Sequence, residues 1–221
     1  EHPGIAKISL TGGVATGKLI MSQSASTLKK ITLELGGKSP LLVFDDCDFE
    51  LAVQTALDAN FYTAGEVCSN ATRVFVQRSI ADKFIAAMVD KTERIVVGDP
   101  MAADVNMGAL ISASHLGKVL DYVKIGRAEG AQIATGGKQI HPQGFENGYF
   151  MEPTILTNCT DSMRVTREEI FGPVMSVLIF DDEQDAIERA NSTEFGLGAG
   201  VMTTDLSRAH RVADALISGN V

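Results

Sequence analysis

Apolar and polar positions follow two rhythms along the chain. The run IAKISL (residues 5–10) reads as a strand, the Gly-rich TGGVATGK as a turn, and the segment after it as a helix. KKITLELGG and PLLVF are strand-like, residues 50–62 helix-like, and TRVFVQ is again a strand. Ser79 and Asp82 stand at capping-box spacing, which predicts a helix start there with Phe84, Ala87 and Met88 on its apolar face. Leu116, Val119, Leu120 and Val123 recur at helical spacing, and Gly130 sits where that helix should stop. QIATGG is a short strand. Asn147-Gly148 predicts a tight turn before YFMEPTIL, where Pro153 predicts an edge or irregular strand. PVMSVLIF reads as a buried strand, residues 182–190 as a helix, LGAGVMT as a strand, and residues 206–216 as a helix with Ala209, Val212, Ala213 and Leu216 inward. Alternating strands and helices predict an α/β fold: a mainly parallel sheet, right-handed crossovers and flanking helices. The polar lead-in at one end and SGNV at the other, read as the start of a further strand, suggest a piece of a longer protein.

Composition narrows the class. The chain has 221 residues, 45% hydrophobic, enough for one large domain or one domain with part of another. A net charge of −9 and a pI near 4.9 argue against nucleic acid or an anionic membrane surface, which require clustered cations. With no long apolar run and no basic-then-apolar leader, the expected setting is cytoplasmic. Cys47, Cys68 and Cys159 are odd in number and widely spaced, so neither a disulfide framework nor a zinc site is indicated.

TGGVATGKLI has the G-x-x-x-x-G-K spacing of a triphosphate-binding loop but places Leu19 where the magnesium-binding hydroxyl belongs. LLVFDD (residues 41–46) imitates a magnesium-binding strand end, a pattern that any buried strand entering a polar turn can produce. A strand, a Gly turn and a helix N-terminus still suit a phosphate held without magnesium, such as a dinucleotide. Cys68 lies in FYTAGEVCSNATRVFV, in a turn between helix and strand where backbone N–H groups can stabilise a thiolate and an oxyanion. The competing reading is a small buried hydrophobe, which also covers Cys47 and Cys159. Glu34, the charged member of LELGG, is either solvated at a strand end or aimed into a cleft. Glu169 in EEIFGP carries the same ambiguity. The four histidines stand singly in polar surroundings and give no basis for a hydrolytic triad.

Taken together, LELGGKSP (residues 33–40), FxxxGExC ending at Cys68, REEIFGP (residues 167–173) and NSTEFGLGAGV (residues 191–201) resemble the aldehyde dehydrogenase superfamily across essentially the whole chain. TGGVATGK, NCTDSMRVTREEIFGPVMSVL and DLSRAHRV are most similar to its betaine-aldehyde branch. The resemblance implies an NAD(P)-dependent oxidoreductase that converts an aldehyde, betaine aldehyde to glycine betaine, into an acid through a cysteine thiohemiacetal and thioester. It implies Cys68 as nucleophile and Glu34 as the base that activates water. It further implies Gly12, Gly13, Val14, Ala15, Leu35, Gly36, Glu169 and Phe171 around NAD or NADP, with Leu28 offering a backbone carbonyl to potassium. Residues 1–36 would be the last part of a cofactor domain and residues 37–221 a catalytic domain short of its final strands and oligomerisation tail. The parent would be a homodimer or homotetramer, and this chain alone weak or inactive. Glu66 departs from the family's usual glutamine, and a negative charge two residues from the thiol opposes thiolate formation unless it is turned elsewhere. The family's oxyanion asparagine and its adenosine-binding strands have no counterpart in this sequence. Two other readings stay open: a non-catalytic binding or structural fragment, and a P-loop nucleotide hydrolase.

Overall fold

The structure is a computed structural model, and it describes residues 2–221. Strand β1 (Lys7–Thr11), helix α1 (Val14–Ser24) and strand β2 (Lys30–Glu34) make a βαβ unit whose two strands pair in parallel, Lys7 opposite Lys30 and Thr11 opposite Glu34. The main sheet begins at β3 (Pro40–Val43), after which α2 (Phe49–Phe61) leads to β4 (Arg73–Gln77). Helices α3 (Ala81–Thr92) and α4 (Ala113–Ala128) follow, then β5 (Gln132–Thr135), the short pair β6 (Gln139–Ile140) and β7 (Phe150–Met151), and β8 (Thr154–Thr157). The chain continues through α5 (Arg164–Arg167), β9 (Val174–Phe180), α6 (Glu183–Asn191), β10 (Gly200–Met202) and α7 (Leu206–Ala215).

Six strands form the main sheet in the order β10-β3-β4-β9-β8-β5, parallel except where β5 runs against β8. Strand alternation explains why both faces are covered. Leu41, Val43, Val74, Val76 and Val177 face one core with residues of α2, α3 and α4. Leu42, Phe44, Phe75, Leu178 and Phe180 face another with Ala186, Ala190, Val212 and Leu216. A parallel sheet needs this double cover, and its strands accordingly read as continuous apolar runs.

Two local expectations need correction, and a third is decided between its alternatives. Ser79 does not cap α3. It lies in a 3₁₀ turn, Arg78–Ile80, and its hydroxyl donates to the charged Asp45 carboxylate at 2.9 Å, while Ile80 occupies the cap position without a side-chain bond. Of the two alternatives at Pro153, the irregular strand holds and the edge strand does not. Pro153 separates β7 from β8, and β8 is interior, between β5 and β9, because the N–H that proline lacks falls at the break. Residues 218–221 form no strand; they bond to the main sheet's rim through the Ala199 N–H, donated to the Asn220 carbonyl at 2.9 Å.

The two sheets present opposite ends to each other. Residues 12–13 and 35–37 leave the carboxyl ends of β1 and β2, whereas residues 68–72, 169–173 and 196–199 enter the amino ends of β4, β9 and β10. The candidate residues of the small sheet thus stand at carboxyl strand ends, and those of the main sheet at amino strand ends.

Candidate active site

The Cys68 turn is built from both sides. Before it, Thr63, Ala64 and Gly65 all have positive φ, at 51°, 51° and 73°. This coil carries the chain out of α2, and Gly65 lies so close to the Gly172 carbonyl that a Cβ there would fall 2.3 Å from it. After it, the Asn70 N–H donates to the Val67 carbonyl at 3.2 Å, closing a turn with Cys68 as its first central residue. Among the described residues the Cys68 N–H donates no hydrogen bond of its own. The buried Asn60 side chain holds the turn's exit, donating to the carbonyls of Ala56 and Ala71 at 2.8 and 3.0 Å. The Cys68 thiol is free and half-buried.

Gly37 is where the segments meet. Its N–H donates to Glu169 Oε1 at 3.1 Å, and the Cys68 carbonyl lies 2.3 Å from where a Cβ on Gly37 would stand. Gly36 faces the same Glu169 carboxylate, with an imagined Cβ 2.2 Å from Oε2. The fold thus brings together the exit of β2, the Cys68 turn and the Glu169–Phe171 loop, the last bent by Phe171 at φ 60°. Glu34, exposed at the end of β2, accepts the Gly12 N–H on its backbone carbonyl at 2.9 Å, which ties the base candidate to the Gly turn. Leu35 packs its side chain against Gly17 in α1. Leu28 is not gathered here: it precedes β2 in the left-handed region at φ 49°, a strand's length from Glu34.

The Gly turn suits an anion. Gly13 occupies the cap position of α1 in extended conformation with no side-chain cap, the first turn has no acidic residue, and nothing lies within 4 Å of where a Gly13 Cβ would be. The first-turn N–H groups of Val14 and Ala15 therefore have no competing carboxylate. The aspartates of the rival triphosphate reading are engaged elsewhere. Asp45 accepts from Ser79, while Asp46 accepts from Thr203 at 2.8 Å and pairs with Arg208 at 3.0 Å. Among the described residues no group of three or more His, Cys, Asp or Glu could hold a metal ion. Tyr62 is exposed in a groove with Asp58, Lys91 and Arg94.

Sequence reasoning missed two features. Lys38 and Arg73 are buried under the site, at 1% and 3% exposure. Arg73 Nε donates to the Lys38 carbonyl at 2.8 Å, and its other nitrogens reach the Arg189 and Ala190 carbonyls. Burial, with the neighbouring Arg73 charge, lowers the Lys38 pKa to about 7; burial lowers that of Arg73 to about 10. Glu66 and His115 form the second feature, since a lone charge and a lone histidine far apart in sequence carry no pairing signal. Cys159 is removed from the chemistry, its thiol pushed up to about 11 by burial.

A profile described as "Aldehyde dehydrogenase family" matches residues 1–221. A betaine aldehyde dehydrogenase of Vibrio vulnificus strain YJ016 is 53% identical over 218 residues, covering 99% of this chain and 45% of that protein. The 4-trimethylaminobutyraldehyde dehydrogenase of Homo sapiens is 53% identical over 221 residues, with 99% and 45% covered. A crystal structure of Staphylococcus aureus betaine aldehyde dehydrogenase in complex with NAD+ superposes with a TM-score of 0.97 at 46% identity, covering 100% of this chain and 44% of that one. The chain thus spans a little under half the length of these relatives.

Proposed function

The chain belongs to the aldehyde dehydrogenase family, and we propose that it carries the nucleophile half of an NAD-dependent enzyme that oxidises a quaternary-ammonium aldehyde, betaine aldehyde first, to its acid. The observation that carries this reading is the meeting at Gly37 of the Cys68 carbonyl and the Glu169 carboxylate, beside a strand that ends in Glu34.

Residues 1–36 would belong to the cofactor-binding part and residues 37–221 to the catalytic part, a division supported by the separate two-stranded and six-stranded sheets. The fit to a dinucleotide rests on the uncapped α1 N-terminus, where Gly12, Gly13, Val14 and Ala15 would face the pyrophosphate, and on Leu35, Gly36, Glu169 and Phe171, which would line the nicotinamide riboside. When bound, NAD would supply the hydride acceptor. NADP is the alternative. A potassium ligand at Leu28, and a dimeric or tetrameric parent, rest on the resemblance alone.

The Cys68 thiol gives its proton to solvent, the thiolate sulfur forms a bond to the aldehyde carbon, and the carbonyl oxygen becomes an oxyanion that the Cys68 N–H stabilises. The fixed turn aligns the sulfur before attack, so little ordering remains to be done in the transition state. Loss of hydride leaves a thioester on Cys68. Glu34 then takes a proton from water, whose oxygen attacks the thioester carbon; the C–S bond breaks, the acid leaves, and the proton held by Glu34 passes to the departing sulfur, restoring the thiol.

The test uses the parent protein with NAD and betaine aldehyde, following absorbance of the reduced cofactor. Activity in the parent and its loss by at least ~10³-fold in Cys68→Ser is the expected result. A parent without activity removes the reading, and an active Ser variant removes Cys68 from it.

A further inference from the structure

Glu66 departs from glutamine beside the nucleophile, and the structure shows where its charge goes. Its Oε1 accepts the Ile111 N–H at 3.2 Å and lies 3.4 Å from His115 Nε2, with both side chains about 15% exposed. Ile111 immediately precedes Ser112, the cap of α4, so the carboxylate sits at the positive end of that helix. Ser112 Oγ accepts the His115 N–H at 3.2 Å, which fixes the imidazole in the first turn. The same Nε2 lies 2.6 Å from the Phe171 carbonyl, and the two rings meet edge to face with centroids 6.2 Å apart.

We propose that Glu66 and His115 are positioning residues that clasp the Cys68 turn, the α4 N-terminus and the Glu169–Phe171 loop into one unit. This rests on the reading of Cys68 as the nucleophile. The clasp reaches across 45 and 56 positions of sequence to join two segments that hold non-glycine residues at positive φ, Thr63 and Ala64 in one and Phe171 in the other. Left-handed conformations at such residues persist only where surrounding contacts over-determine them. Glu66 directs its charge toward the helix and the imidazole, so the acid that replaces the usual glutamine also anchors the turn. Glutamine offers the Ile111 N–H the same acceptor without the charge; leucine offers none.

The test is the rate of Cys68 alkylation by iodoacetamide in the parent protein, resolved by peptide mass spectrometry from the other cysteines. Glu66→Gln and Glu66→Leu remove the same charge, so their ratio isolates the clasp. We expect Glu66→Leu to react about fivefold slower than Glu66→Gln, since a loosened turn presents its amides poorly to the thiolate. His115→Leu should likewise react about fivefold slower than His115→Gln, which keeps a donor for the Phe171 carbonyl, and should speed amide exchange in residues 170–174. Equal rates within either pair, or unchanged exchange at residues 170–174, overturn the clasp. The histidine pair carries the same test if Glu66→Leu fails to fold. No aldehyde or cofactor enters the measurement, so an inactive parent would sink the functional reading and leave the clasp standing.

Discussion

Two glycines near the thiol look alike in sequence and differ in what they can tolerate. At Gly65 the backbone is left-handed, φ 73°, and a Cβ would meet a backbone carbonyl at 2.3 Å, neither of which can relax locally. Gly36 has no such φ, and the atom its Cβ would strike is the end of the Glu169 side chain, which can swing away. Gly65→Ala should therefore destabilise the fold by about 2 kcal/mol or more. Gly36→Ala should keep stability within about 1 kcal/mol while releasing Glu169 from the Gly37 N–H. Thermal melts of both variants, with amide exchange at Gly37 in the second, check the contrast. A fall in stability for Gly36→Ala equal to that for Gly65→Ala would refute it.

Among the elements, the break at Pro153 is the informative one. The sequence signal was correct that a regular strand could not run through proline, but it could not say on which side of the sheet the strand lies. The answer depends on partners: β8 is held by β5 and β9, and the Thr154 N–H is donated to the Pro173 carbonyl at 2.9 Å. Thr154, fully buried, uses its hydroxyl twice, accepting the Gly137 N–H at 2.8 Å and donating to the Glu152 carbonyl at 2.9 Å. Valine has the same shape and neither bond. Thr154→Val should cost about 2 kcal/mol, read from chemical denaturation, because two part-buried backbone groups lose their partner. A cost below about 0.5 kcal/mol would mean that those groups find other partners. The Ser79 correction belongs to the same scale: a capping-box spacing is local, whereas the competing Asp45 carboxylate arrives from the loop after β3.

For the molecule as a whole, the cation pair beneath the site links folding to pH. Burial lowers the Lys38 pKa to about 7 from the ordinary 10.5, and among the described residues its ammonium nitrogen has no hydrogen-bond partner. Between those values the unfolded chain binds the proton that the folded chain releases, so stability rises with pH across the window and levels off below it. Lys38→Met removes the penalty, so it should raise the melting temperature most at or below pH ~7 and progressively less toward pH ~10. An advantage that does not shrink as pH rises would show that Lys38 is not buried as a lowered-pKa amine. The sequence by itself determined the βαβ alternation, the two-faced apolar strands, the thiol in its turn, the acid ending β2 and the Gly turn leading into α1, because each is written in residues a few positions apart. Only the tertiary structure decided which strand ends face the site, that Glu169 lies on Gly37 across 132 positions of sequence, that Glu66 turns to His115, and that Lys38 and Arg73 are buried together. Such pairings depend on how separate segments pack, and no local period or spacing encodes packing.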